Sequence, residues 1–185
     1  MTLSELARTL PDYAKDARLN VSSLLNEQLL SDQQKWGTVI ACAHASGVPE
    51  LAAAAEAEGA AKISPAAINA ARAAAAVMAM NNVYYRFTHL AANKDYARMP
   101  AKLRMNVIGA PGIDKVDFEL MSLAVSAING CGMCIDAHEK VLRDHGLGTE
   151  AIQAAVRIAS VVNAVGAVMK TMAVAAQPTA AAAAA

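Results

Sequence analysis

Two cysteines and a histidine give this chain its clearest chemical signal: Cys131 and Cys134 frame a CGMC motif, and His138 follows four residues later. In a helix beginning near Cys131, Cys134 lies at i+3 and His138 at i+7, so the three side chains fall on one stripe while Met133 points elsewhere. That spacing places the imidazole one turn below Cys134, within hydrogen-bond reach of its sulfur. Two thiols so close together oxidise readily to a disulfide, and the pair is read as a redox-active dithiol.

Reactivity requires thiolate. A free thiol has a pKa of about 8.5, and making the anion dominant near neutrality takes about 2.7 kcal/mol of preferential stabilisation. A helix N-terminus supplies typically about 0.3–1 kcal/mol and at best about 2, so a neighbouring imidazole that takes the thiol proton is needed as well. The preceding segment offers a partner for that imidazole. Glu119, Ser122, Ser126 and Asn129 recur at i, i+3, i+7 and i+10 among apolar residues, a polar stripe on a helix otherwise suited to burial. An unpaired carboxylate there would be costly. Glu119 is therefore either solvated in the first helical turn or a buried acid that orients His138 and favours imidazolium.

Zinc is the competing reading of Cys131, Cys134 and His138, but a structural site takes a fourth ligand, and no second CxxC or nearby HxxxH exists. Ile135 follows Cys134, so there is no CxxCH haem-attachment motif, and no nucleotide-binding glycine pattern occurs. Catalysis is expected to need no tightly bound cofactor. The third cysteine, Cys42, sits among apolar neighbours and reads as a buried, inert thiol.

The 185 residues are 56% apolar, 17% charged and 4% aromatic, much of the apolar share being alanine, which favours helix and lets helices approach closely. Strand-forming runs are scarce, so an all-α fold without a sheet is expected. The 16 basic and 16 acidic residues cancel, and no Lys/Arg cluster faces a phosphate backbone, which argues against nucleic-acid binding. Charges are scattered through the first 20 residues where a signal peptide would need an apolar stretch. Apolar runs such as 158–169 stop short of the roughly 18 residues of a membrane span. The expectation is a cytoplasmic protein without a membrane segment, in a compartment where a close cysteine pair is catalytic, redox-sensing or metal-binding.

Helical periodicity and punctuation predict helices over about 2–10 and 13–25, a helix capped by Ser31-Asp32 and carrying Trp36 to about 44, and another over about 50–59. Ser64-Pro65 opens one reaching about 86. A loop-rich stretch at 93–100 and a short segment at 104–109 precede helices over about 114–129, 131–145 and 149–176. Shifting the chain by 84 residues aligns Ile68, Ala70, Ala71, Ala75 and Val77 with identical Ile152, Ala154, Ala155, Ala159 and Val161. The predicted organisation is one internally duplicated domain over 1–178, with a structural half at about 1–92, a redox-active half at about 101–176, and a disordered alanine-rich tail at 179–185. In that register Gly47-Val48-Pro49-Glu50 stands where the second half has the CGMC motif.

The run ELMSLAVSAINGCGMCIDAHE at 119–139 resembles the alkyl hydroperoxidase D family of the carboxymuconolactone decarboxylase-like superfamily. Further matching stretches are Trp36-Gly37, MNNVYYR at 80–86, LRMN at 103–106 and Pro111-Gly112-Ile113. The resemblance implies an all-helical, internally duplicated homotrimer acting as a lipoyl-dependent peroxidase and disulfide reductase. It implies a partner peroxiredoxin, AhpC, and electrons from dihydrolipoamide on a lipoylated acyltransferase subunit. By position, Cys134 would be the thiol that passes through sulfenic acid and links to the partner, Cys131 the resolving thiol and proton donor, with Glu119 and His138 as proton relay. One departure stands out, because the family commonly has histidine immediately before the second cysteine and this chain has Met133. Two other readings stay open on the residues: a cofactor-free lactone decarboxylase using acid and base groups, and a redox-responsive or zinc-binding helical module.

Overall fold

The computed structural model describes residues 1–175; the predicted alanine-rich tail lies outside the described residues. Among those residues ten α-helices and one 3-10 turn make up the regular structure and no strand occurs, so the fold is all-α. In chain order the helices are α1 (Leu3–Arg8), α2 (Lys15–Leu25), α3 (Asp32–Ala45), α4 (Pro49–Gly59) and α5 (Pro65–Leu90). They continue with α6 (Asp95–Arg98), α7 (Asn106–Gly109), α8 (Lys115–Asn129), α9 (Gly132–Asp144) and α10 (Thr149–Ala175).

Local signals set the helix starts. Ser31 accepts from the Gln34 amide while the Gln34 side chain returns to the Ser31 amide, a reciprocal cap that fixes the start of α3. Ser64 accepts from the Ala67 amide with Pro65 at the first helical position of α5, and Asp114 accepts from the Val116 and Asp117 amides to open α8. Two differences from the sequence expectation concern the middle of the chain. The stretch at 93–100 contains the one-turn helix α6, and α5 continues one turn past Arg86 because no breaker occurs before Ala91.

The core forms where α3 packs on α5, α8 and α10, and α8 packs in turn on α5, α9 and α10. Every residue of α8 from Asp117 through Ser126 is buried, so α8 is the central helix of the molecule. Alanines with no exposed surface, among them Ala41, Ala71, Ala74, Ala124 and Ala155, line the helix crossings and let the axes approach closely. Phe118, Leu120, Met121 and Leu123 are wholly or almost wholly buried, each worth about 1.5–3 kcal/mol of apolar transfer. The crossing of α10 over the end of α3 is close enough that a methyl group on Gly166 would come within 2.9 Å of the Ser46 Cβ.

Helix α10 departs from the expectation drawn from its apolar run. With 27 residues and a mean hydropathy of 1.6 over its most apolar window, it is long and apolar enough to cross a membrane. Uninterrupted apolar runs understate it, because single polar residues such as Arg157 and Lys170 cut them short. Here Ile152, Ala155, Ile158, Ala159, Val162 and Val165 are buried, while Gln153, Arg157, Ser160 and Asn163 form an exposed polar row.

Helix lengths repeat along the chain. Helices α3, α4 and α5 have 14, 11 and 26 residues; α8, α9 and α10 have 15, 13 and 27 in the same order. Counted from the first residue of each helix, Trp36 corresponds to Glu119, Leu51 to Cys134 and Ala55 to His138. This register sets Val48 through Leu51 opposite the CGMC motif, one residue later than the alignment by sequence shift alone. Trp36, Leu51 and Ala55 are all buried and apolar.

The first half carries its own ion cluster at the edge of the core. Arg72 donates from Nε and Nη2 to the two Glu56 oxygens, both at 2.6 Å, and His44 Nε2 lies 2.7 Å from Glu56 Oε1. The Arg72 hydrogen bonds dominate, and with His44 they outweigh partial burial to hold the Glu56 carboxyl at about 2, below the usual 4.5. A carboxyl depressed in the folded state adds stability that is complete above its unfolded value and lost as pH falls toward 2. Arg72 is half exposed, so screening limits the gain. Glu56→Gln is expected to lower urea stability near neutral pH by about 1 kcal/mol, with the difference from the parent shrinking as pH falls through the acid range; denaturation curves at neutral and acid pH check this.

Candidate redox site

The α8–α9 turn delivers the cysteines. Gly130 ends α8 in the left-handed conformation at φ 65°, which a side chain would strain, and the Cys131 amide donates back to the Ser126 carbonyl at 3.1 Å. The chain reverses within this turn, so Cys131 becomes the N-cap of α9 and its carbonyl accepts the first intrahelical hydrogen bond, from Ile135. Cys131 and Cys134 are joined as a disulfide with Cα atoms 5.3 Å apart. Cys131 is fully buried, whereas Cys134 keeps 6% of its surface and is the outer sulfur.

The buried face of α9 consists of Cys134, His138 and Leu142. His138 Nδ1 lies 2.6 Å from Glu119 Oε2, the carboxylate being supplied by α8, and both side chains are nearly inaccessible. With Glu119 ionised the carboxylate can only accept, and the ring then donates through Nδ1–H. Glu119 is thus a buried acid paired with His138, and not a solvated residue of the first helical turn. The other ring nitrogen, Nε2, lies 3.3 Å from the Met78 thioether sulfur on α5. The hydrogen bonds of the ring therefore go to Glu119 and Met78 in this disulfide-bonded form, and not to the Cys134 sulfur as the helical spacing alone leads one to expect.

His138 and Cys134 instead share the wall of one cavity of about 270 Å³. Helix α5 contributes Met78, Asn81 and Tyr85, the 105–108 segment contributes Met105 and Ile108, and α9 contributes Met133, Cys134, Ala137 and His138. The helical spacing alone points Met133 away from the cysteines. Its row, with Ala137 at i+4, borders the Cys134–His138 row, and the long thioether side chain reaches into the shared space. The lining is mostly apolar and includes Cys134 of the disulfide.

The polar stripe of α8 makes a connected network. Asn129 Nδ2 donates to Asn82 Oδ1 at 2.9 Å, Asn82 Nδ2 donates to Ser126 Oγ at 2.9 Å, and Ser126 Oγ donates to Met78 Sδ at 3.6 Å. Arg86 closes the outer end by donating to the Asn129 carbonyl at 2.6 Å. Ser122, the remaining member of the stripe, is buried and its hydroxyl has no hydrogen-bond partner among the described residues. Sequence reasoning singles out the α8 stripe but gives no role to Met78, Asn81, Asn82 or Tyr85. The signal for them is the Asn81-Asn82 pair, two adjacent amides in a helix whose neighbours are largely alanine, methionine and valine.

The remaining titratable candidates lie elsewhere. Cys42 is fully buried, and burial pushes its thiol far above the ordinary range, which makes it inert. Among the described residues no group of three or more His, Cys, Asp and Glu side chains is placed to share a metal ion. The arrangement can do thiol–disulfide chemistry: an outer sulfur facing an apolar cavity, an inner sulfur bonded to it, and a buried carboxylate–imidazole pair beside them.

Comparison with known proteins agrees with the site's position in the chain. The Carboxymuconolactone decarboxylase family model matches residues 94–177, the half that holds Glu119, Cys131, Cys134 and His138. The chain is 65% identical over 171 residues to alkyl hydroperoxide reductase AhpD of Rhizorhabdus wittichii, covering 92% of this chain and 99% of that one. It is 60% identical over 169 residues to alkyl hydroperoxide reductase AhpD of Maricaulis maris, covering 91% and 98%. Identity at that level across nearly the full length of both sequences leaves one conclusion: the chain belongs to the alkyl hydroperoxide reductase AhpD family.

Proposed function

We propose that this protein is a lipoyl-dependent peroxidase, an oxidoreductase that reduces organic hydroperoxides and the peroxiredoxin AhpC. The observation that carries the reading is the Cys131–Cys134 disulfide on the wall of a cavity it shares with the Glu119-bound His138. In the reduced enzyme the Cys134 thiolate attacks the outer peroxide oxygen, the O–O bond breaks, and the alkoxide leaves with a proton to give alcohol and Cys134 sulfenic acid. Cys131 thiolate then displaces hydroxide from that sulfur, closing the disulfide and releasing water once protonated. A dithiol reopens it, losing two electrons as it forms its own disulfide.

Dihydrolipoamide, carried on a lipoylated acyltransferase subunit, is the proposed electron source. It is a dithiol on an extended aliphatic arm, and the mostly apolar cavity at Cys134 suits such an arm as it suits an alkyl hydroperoxide. Glu119 and His138 are the proposed proton relay: Glu119 fixes the ring, and His138 exchanges protons with the sulfurs and leaving oxygens. No tightly bound cofactor enters the scheme. The proposed location is the cytoplasm, where a reducing pool keeps a reactive dithiol in turnover.

The proposed assembly is a homotrimer. Val83, Phe87 and Leu90 follow one another at i, i+4 and i+7 on α5 and are all exposed, and Phe87 packs on the exposed Tyr96 with ring centroids 5.1 Å apart. An apolar stripe of this kind on a folded domain suits burial against further copies of the chain. Phe87→Glu is expected to convert the oligomer to monomer, read as a threefold fall in mass by light scattering.

A decarboxylase reading draws on the family model that matches the second half, and it differs in needing acid and base groups but no thiols. Alkylation separates the two. Cys134→Ser is expected to abolish dihydrolipoamide-dependent peroxide consumption, while Cys131→Ser accumulates a sulfenate or a mixed disulfide visible by mass spectrometry; full turnover by a double serine variant would refute the peroxidase reading. Glu119→Gln is expected to lower kcat by about 10²-fold with the disulfide still able to form, the scale of a lost acid–base contribution, measured in the same peroxide assay.

A further inference from the structure

The Met78 thioether is fully buried, and polar groups from two other helices converge on it. Ser126 Oγ lies at 3.6 Å and His138 Nε2 at 3.3 Å. The direction of the hydrogen bonds is forced. Asn82 already donates to Ser126 Oγ, leaving the Ser126 hydroxyl proton for the sulfur. Asn82 Nδ2 also donates to the Met78 sulfur, at 3.9 Å, and because a thioether has no proton to give, its hydrogen bond with His138 Nε2 takes its proton from the ring. An imidazole whose Nδ1–H is committed to Glu119 can present a donor at Nε2 only when that nitrogen also carries a proton.

We infer that Met78 is a positioning residue that holds the proton of the oxidised site: its sulfur accepts the His138 Nε2–H while the Cys131–Cys134 disulfide is closed. The inference rests on the peroxidase reading for the use made of that proton. A thiolate of the reducing dithiol attacks the outer sulfur, Cys134, forming a mixed disulfide and expelling the Cys131 thiolate. The second thiolate of the reductant then closes its own disulfide and expels Cys134 with the electron pair. The imidazolium Nε2–H, released from Met78, then stabilises the Cys134 thiolate, so that the reduced site holds the thiolate–imidazolium pair. The ring thus has two stations within one cavity, the thioether when the disulfide is closed and the released sulfur when it opens.

The titratable groups around the ring are few. Helix α8 presents Glu119, α5 presents Tyr85 on the cavity wall, and on α9 the two cysteines do not titrate while bonded to each other. The Met78 sulfur and the Glu119 carboxylate are therefore the two groups bonded to the ring itself, one at each nitrogen.

The test reads the ring directly and does not depend on turnover. In the oxidised, 15N-labelled full-length protein, long-range 1H–15N spectra near neutral pH are expected to show both His138 nitrogens protonated. Met78→Leu, which keeps the volume but removes the acceptor, is expected to lose the Nε2 proton signal or accelerate its exchange with water about tenfold, the factor of one ordinary hydrogen bond. Met78→Gln, whose side-chain oxygen can accept, is expected to restore it. Reduction of the disulfide by dihydrolipoamide should slow in Met78→Leu by a similar factor, with its pH profile moved to lower pH and KM unchanged. A wild-type ring protonated at Nδ1 alone overturns the inference, as does a Met78→Leu ring indistinguishable from wild type. Should Met78→Leu fail to fold, the wild-type spectrum decides by itself. Protonation as expected in a protein that consumes no peroxide would leave the Met78 contact standing and sink the peroxidase reading.

Discussion

One buried pair, Glu119 on α8 and His138 on α9, organises the second half of the molecule. Placing a carboxylate in a core is costly unless a partner compensates it, and removing one member of a buried pair typically costs about 3–5 kcal/mol because the other is left alone. The 2.6 Å contact supplies that compensation and at the same time removes the ring's freedom to rotate. A ring fixed at Nδ1 has one direction left for Nε2, and that direction leads into the cavity region formed with α5. The tight turn at Gly130 completes the constraint, because it sets the start of α9 against the end of α8 and so fixes where the sulfurs stand relative to the ring.

The duplicated helix triplet shows what the scaffold does without this pair. Where the second half has Glu119, Cys134 and His138, the first has Trp36, Leu51 and Ala55, all buried. A large indole and a leucine fill apolar volume that polar and sulfur-bearing side chains occupy in the other copy. Close packing tolerates either solution provided volume is conserved and buried polar groups find partners. One copy is therefore free to contribute core to α3 and α5, and α5 in turn supplies Met78, Asn81 and Tyr85 to the cavity of the other. The site belongs to the second half in its disulfide and its carboxylate–imidazole pair and to the first in much of its wall.

The helices are legible in the sequence because their boundaries are written in local chemistry: Ser31, Ser64-Pro65, Asp114 and Gly130 mark starts and stops that follow from backbone hydrogen bonding alone. The stripe of Glu119, Ser122 and Ser126 is legible for the same reason, since helical period puts them on one face whatever they pack against. The partners across helices are not. Met78 reads as an ordinary core methionine in an alanine-rich helix, and only the packing of α5 against α8 and α9 reveals that its sulfur meets Ser126 and His138. Met133 is misplaced by the same limitation, because a helical wheel assigns directions to Cβ atoms and says nothing about how far a flexible side chain reaches. Helix α10 shows the converse, an apolar composition that satisfies a membrane criterion although much of its apolar face packs on α2, α3 and α8.

The division of labour at the start of α9 follows from magnitudes. The free amides of its first turn favour an anion at the cysteines, but a helix terminus contributes only about 0.3–1 kcal/mol in ordinary settings, short of the about 2.7 kcal/mol that thiolate dominance near neutrality requires. The balance must come from a positive charge close by, and among the described residues no lysine or arginine lines the cavity. Under the proposed function His138, hydrogen-bonded to Glu119, is the cavity group that supplies it. Under the proposed function, the carboxylate buried one helix away from the chemistry is what lets an apolar cavity hold a nucleophilic sulfur.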